Sequence, residues 1–227
     1  MKIKKIRTIY TTFALLVAIS GMVGQANGAL IGISGPPSSL SIAPEIIAAP
    51  FNALDDVAFN FGMQGFNEIQ DFTTTVPHIH DFGVIAPGTL VDSHMIFLNS
   101  WGDLFISHYE VDWTFSGKII GVMSDICGYL EAASTFELGA PGTNYTVPFT
   151  LSTGFDSGPA APFPLRGMET ETGDSYILLG PSILRVNMSV GEPGDWIRVV
   201  TVAPVPGAVL LGMLGLGVAG LKLRKYA

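Results

Sequence analysis

The chain has 227 residues, 48% of them hydrophobic and 13% charged, with eleven Lys and Arg against nineteen Asp and Glu. That balance excludes a disordered acidic chain, and the confinement of long apolar runs to the two ends excludes a polytopic membrane protein. Between Asn27 and Pro204 only Lys118, Arg166, Arg185 and Arg198 face all nineteen carboxylates, a net of −15, and a surface this acidic excludes nucleic acid as a partner.

Residues 1–28 read as a signal peptide. Lys2, Lys4, Lys5 and Arg7 precede an apolar stretch from Ile9 to Ile19, and small residues follow at Gly21, Gly24, Ala26 and Gly28. Basic, apolar and small-residue parts in this order are what signal peptidase requires, with cleavage after Ala26 or Gly28. Export implies an oxidising compartment, yet the single cysteine, Cys127, excludes an intramolecular disulfide framework. With no histidine near it in sequence, Cys127 reads as a buried small apolar side chain.

Residues 29–203 read as an all-β body, an antiparallel β-sandwich-like domain. Tyr109, Val111, Trp113 and Phe115 alternate with Glu110, Asp112, Thr114 and Ser116, as a strand with one buried and one wet face requires. Leu184, Val186, Met188 and Val190 alternate in the same way, as do Trp196, Arg198 and Val200 against Ile197, Val199 and Thr201. Turn residues separate these runs, at Pro87-Gly88, Pro141-Gly142-Thr143-Asn144, Ser157-Gly158-Pro159 and Gly191-Glu192-Pro193-Gly194. Short strands at frequent turns predict a sandwich or an open barrel. The stretches 44–58 and 125–136 could each hold a short helix. No repeat and no internal linker divides the body.

Candidate chemistry in the body is sparse. His78 and His80 would project from one face of an extended segment beside Asp81, two imidazoles and a carboxylate of the kind that bind transition metals; after Pro77 the cluster reads first as a loop with solvent-exposed imidazoles, and no complete metal-ligand set is recognisable. Asp103, Glu110 and Asp112 supply carboxylates of the type glycoside hydrolysis uses, although the wet face of a strand ordinarily carries such groups. Turn carboxylates also suit calcium, but no Asp-x-Asp-x-Asp-Gly loop is present. Gly-x-Ser-x-Gly and the phosphate-cradling P-loop are both missing. Among the tryptophans, Trp113 falls on an apolar strand face, whereas Trp101 sits in the turn Asn99-Ser100-Trp101-Gly102-Asp103 and is the candidate platform for a sugar ring. The expectation is a body without enzymatic activity or cofactor, and the alternative is a secreted polysaccharide-binding module, calcium-assisted or not.

Residues 204–227 form the third segment. Pro204-Val205-Pro206 is followed by Gly207 to Leu221, fifteen residues without a charge, and then by Lys222, Arg224 and Lys225. As a helix, Gly207 to Leu223 would span about 25 Å, near the lower limit for crossing a bilayer. The basic end would stay cytoplasmic and the body outside, in agreement with the signal peptide. Ala208 and Gly212, like Gly215 and Ala219, are four apart, a spacing that lets a second helix approach closely.

These features together resemble the PEP-CTERM family of sorting signals: the Pro-x-Pro motif at Pro204, Val205, Pro206 and Gly207, the Gly- and Leu-rich helix, and the basic tail. The resemblance covers about 24 residues, and Val205 stands where the family most often has Glu. It implies that the helix holds the protein in the inner membrane until an exosortase, a membrane-embedded cysteine transpeptidase, cleaves near the prolines. The body would then pass to the cell surface or the extracellular matrix, in a setting of exopolysaccharide export. The stretch from Val91 to Thr201, through Trp113-Thr114-Phe115-Ser116-Gly117-Lys118 and Gly194-Asp195-Trp196-Ile197-Arg198, more loosely resembles bodies that precede such C-termini, and that resemblance implies no activity.

Overall fold

The computed structural model describes residues 29–54, 58, 60–101, 104–145, 166–168, 173–191 and 194–204. The expected signal segment and everything from Val205 onward, where a helix and basic tail are expected, lie outside the described residues. Within them the chain forms β1 (Leu30–Ser34), β2 (Glu45–Ile46), β3 (Gln64–Asn67), β4 (Phe72–Thr73), β5 (His78–His80), β6 (Gly83–Ile85), β7 (Leu90–Leu98), β8 (Ile106–Phe115), β9 (Ile119–Met123), α1 (Tyr129–Leu138), β10 (Ser175–Gly180), β11 (Ile183–Val190) and β12 (Asp195–Val202).

One sheet has the order β1-β8-β11-β10, and the second the order β2-β3-β7-β12-β9, with β4 also on β7. All pairings between strands are antiparallel except β2 with β3, which is parallel. Side chains of both sheets share one apolar core, in which Trp113 and Leu184 meet Ile96, Ile197 and Val199. Full burial of each contributes roughly 1.5–3 kcal/mol. The sheets approach closely at Gly65 in β3, where a Cβ would stand 2.5 Å from Trp113 Cζ3 and 2.9 Å from Leu30 Cδ2.

The alternation read in β11 is present: Leu184, Val186, Met188 and Val190 are all buried. In β8 the expectation holds only for Val111, Trp113 and Phe115. Tyr109 points outward and Ile106 and His108 inward. Glu110 has φ 57°, and the register slips there, with Val186 opposite Val111 but Met188 opposite His108. A bulge therefore adds one residue and inverts the phase of the strand, and Asn187 Oδ1 caps the freed Glu110 N–H at 2.6 Å.

The wet face expected for β12 is also absent. Seven of its eight residues are buried, as are eight of nine in β7, because an outer layer covers the far side of the second sheet. That layer contains α1, the β5–β6 hairpin and the segments around Ala53 and Tyr145, packed on Phe66, Met95, Phe97, Trp196 and Val200. The helix expected within 125–136 is α1, capped by Asp125, whose carboxylate accepts the N–H groups of Tyr129 and Leu130 at 2.9 and 2.7 Å. In the other stretch, the described residues 44–54 carry β2 and a bridge from Asn52 to Asn144.

Candidate functional site

Strand direction gives the body two distinct ends. At one, Ser116 N–H bonds Ala29 O, Val202 N–H bonds Lys118 O and Ala203 N–H bonds Leu90 O, so the described chain enters and leaves together. Eight strand residues away, about 26 Å along β12, lie the loop between β7 and β8 and the loop from Ser38 to Ile42.

This far tip carries one group of exposed apolar side chains. Trp101 is 65% exposed and Phe105 61%, with Leu104, Leu40 and Ile42 also exposed. Their base is rigid. Asn99 and Ser100 are fully buried; Asn99 N–H donates to Asn60 Oδ1 at 2.7 Å, Asn99 Nδ2 to Ala58 O at 2.9 Å, and Ser100 Oγ to Gly191 O at 2.5 Å. Leu104 N–H closes the turn on Trp101 O at 3.2 Å, and Ser39 N–H ties its loop to Ser107 O at 2.8 Å. Beneath, the Arg166 guanidinium lies 4.2 Å from the centre of the Trp196 ring and donates to Gly194 O and Asn99 Oδ1. Trp101 is thus presented, as its turn position suggested, while Trp113 and Trp196 are core residues at 0% exposure.

The outer layer holds a buried polar network that sequence reasoning missed. Arg198, 0% exposed, donates from Nε and Nη2 to the two Glu68 oxygens at 2.7 and 2.8 Å. Its remaining N–H groups go to Glu131 O, Ser134 Oγ and Thr135 Oγ1 on α1. Glu68 accepts further from Ser93 Oγ and from Tyr145 OH, each at 2.7 Å. Opposing effects act on Arg198: burial disfavours its charge, the Glu68 carboxylate favours it, and the net shift is upward. These bonds account for Ser134 facing inward from α1, where Glu131 is also buried, while Tyr129 and Phe136 are exposed. The Glu131 side chain is fully buried, and its oxygens have no hydrogen-bond partner among the described residues. Burial, then the nearby Asp125 charge, pushes its carboxyl well above the usual range.

At the C-terminal end of α1, Glu137 accepts from Thr75 N–H and Thr75 Oγ and lies 2.7 Å from His78 Nε2. Burial alone would raise its pKa, but the bonds from Thr75 and His78 outweigh it and the carboxylate stays ionised. It lines an open groove of about 410 Å³ with Ile69, Phe72, Phe136, Pro141 and Tyr145. The carboxylate stands between imidazole and hydroxyl, so His78 is not placed as a base on Thr75.

His78 and His80 do share the buried face of β5, with Ile79 exposed between them. Their rings diverge: His80 packs edge-on against Phe82 at 4.5 Å, and Asp81 accepts from Ser124 Oγ and Tyr176 OH at 2.7 and 2.8 Å. Among the described residues no three His, Cys, Asp or Glu side chains are grouped to hold a metal ion. Asp112 is engaged bidentately by Arg185 at 2.6 and 2.9 Å, and Glu110 stands exposed on the bulge. Cys127 is half-buried with a free thiol, less enclosed than expected because it lies in the loop ahead of α1. Of the C-terminal motif residues only Pro204 is described, half-buried after Ala203; Val205, Pro206, Gly207, Ala208, Gly212, Gly215, Ala219, Lys222, Arg224 and Lys225 lie outside the described residues. No protein family, curated protein or solved structure matches the chain.

Proposed function

We propose that this protein is exported by its signal peptide, anchored by a single transmembrane helix in residues 204–227, and cleaved near the proline motif by an exosortase-type enzyme. Its body, a two-layer β-sandwich with an added outer layer, is a surface or extracellular-matrix protein without enzymatic activity of its own. The observation that carries this reading is the junction: β12 ends at Val202, Ala203 N–H makes a last bond to Leu90 O, and the motif begins at Pro204. Cleavage at or after the prolines therefore leaves every strand of the body intact. Deleting residues 205–227 tests the anchor. The truncated chain is expected in soluble extracytoplasmic fractions; if it still fractionates with the membrane, the anchor is wrong.

A second reading, a secreted polysaccharide-binding module with or without calcium, is favoured by the exposed Trp101 on its rigid base. An indole face stacks on the apolar face of a sugar ring, and an acidic body is best suited to a neutral polymer. Retention of the released protein on a neutral polysaccharide gel should fall on Trp101→Ala with unchanged melting temperature. Equal retention contradicts this second reading and leaves the first untouched.

A further inference from the structure

The four histidines of the chain are all buried in the body, and His108 is held at both ring nitrogens by main-chain groups. Its Nδ1 accepts the Met63 N–H at 2.9 Å, and its Nε2 lies 2.8 Å from Pro36 O. A main-chain N–H can only donate and a carbonyl can only accept, so the ring is neutral with its proton on Nε2. It is 1% exposed, and neither partner can change its role to suit a second ring proton.

Pro36 belongs to the segment 35–43, which leads from β1, an edge of the first sheet, toward β2, an edge of the second. This segment has no helix, no strand and no charged residue. Four hydrogen bonds attach it to the body: Ser39 N–H to Ser107 O at 2.8 Å, Ser107 N–H to Ser39 Oγ at 3.1 Å, Ser38 Oγ to Phe61 O at 2.6 Å, and His108 Nε2–H to Pro36 O. Only the last has a partner that titrates near neutral pH. The segment lies tight on residues 60–63, where a Cβ on Gly62 would stand 2.9 Å from Ile42 Cγ2.

We infer that His108 latches residues 35–43 as a strap over residues 60–63, closed while the imidazole is neutral and released when the surroundings turn acid. A proton on Nδ1 would face the Met63 N–H, donor against donor, and would leave a buried cation without a countercharge. The charged groups on the elements around the ring are engaged elsewhere or exposed: Glu45, whose N–H bonds Met63 O, and Glu110 at the bulge are exposed, Asp112 is bound by Arg185, and the Asp174 carboxylate accepts the Ser189 N–H of β11 at 2.6 Å. Burial holds the pKa of His108 below its ordinary value, and the Pro36 carbonyl opposes it more weakly. Hydration of the cation requires the ring to leave Met63, and the strap, with no strand of its own, is the cover that yields. Opening uncovers the partly buried Phe61 and moves Leu40 and Ile42, the strap's share of the tip. With the strap open the imidazole regains its ordinary pKa of about 6.5, so below that pH the open form binds the extra proton. Opening is therefore favoured by about tenfold per pH unit until the lower pKa of the closed form is reached.

Amide exchange of the full-length chain between pH 8 and pH 5.5, with intrinsic exchange rates divided out, tests this. A peptide covering residues 38–42 should lose up to about tenfold in protection as the pH falls, while a β12 peptide keeps the higher protection throughout. His94→Gln, which removes a buried histidine outside the latch, should leave the strap's pH dependence in place. His108→Gln should abolish it at whatever level of protection the substitution sets, so a variant whose strap stands open still decides the question. Nitrogen NMR of the wild-type imidazole provides a measure free of substitutions: at pH 8 the His108 proton should reside on Nε2, and the ring should titrate together with the loss of strap protection. A flat wild-type profile, strap and β12 losing protection together, pH dependence that survives His108→Gln or vanishes in His94→Gln, or a neutral ring protonated on Nδ1 would each overturn the inference.

Discussion

Replacing Arg198 by Met would leave the Glu68 carboxylate with Ser93 and Tyr145 as donors but without a countercharge, in a site from which water is excluded. Breaking a buried pair from one side costs about 3–5 kcal/mol. Urea unfolding of the released protein should show a loss of that order for Arg198→Met, and a much smaller loss when Glu68→Leu is added; equal losses would show that the pair is not the source. His94 makes a second residue-scale case. Its ring is fully buried, Nδ1 lies 2.8 Å from Asn67 Oδ1 and Nε2 3.2 Å from Thr201 Oγ1, and burial lowers its pKa from 6.5 to about 3. Between those values the unfolded chain binds more protons than the folded one, so stability declines as pH falls below 6.5. At pH 5 the His94 contribution is a loss of about 2 kcal/mol relative to pH 8. His80 and His108, also lowered by burial, act with the same sign. Glu131, raised, acts with the opposite sign: its destabilising effect grows as pH rises from the unfolded carboxyl range toward its folded pKa. Unfolding free energies of wild type and His94→Gln at pH 8 and pH 5 check this; the variant's slope should be the shallower.

At the scale of elements, the bulge in β8 holds Glu110 in the left-handed region at φ 57°. Glycine adopts that conformation without the Cβ penalty. Glu110→Gly should therefore be neutral or stabilising by up to about 1 kcal/mol, whereas Glu110→Val should destabilise; a thermal melt separates the two. The same bulge marks what could be read from the sequence. β11 and the later half of β8 were legible because each has one buried face and one more exposed face, the condition under which period-two alternation survives in sequence. The flip at Tyr109 was hidden because nothing about a glutamate announces a positive φ. In β7 and β12 burial on both faces erased the contrast, and Arg198, grouped with Trp196 and Val200, gave no sign of the buried pair it forms. Its partner Glu68 lies 130 positions away, and no local spacing joins them. Trp101 was legible as exposed because its sequence neighbours are turn-forming polar and small residues, and Trp113 as core because its neighbours two residues away on both sides are apolar.

For the whole molecule, two of the body's four cations, Arg166 and Arg198, are buried at 1% and 0% exposure, and Arg185 is paired with Asp112. Among the described residues the outer surface therefore offers little positive charge. Within the body, Ala29 and Ala203 lie at one end and the tip with Trp101 and Phe105 at the other. The most direct measurement is the intact mass of the protein from native cells, separated into membrane and culture medium. The account predicts a released species that lacks the signal segment and ends near Pro206; a protein found only in the membrane with its C-terminus complete to Ala227 would contradict it.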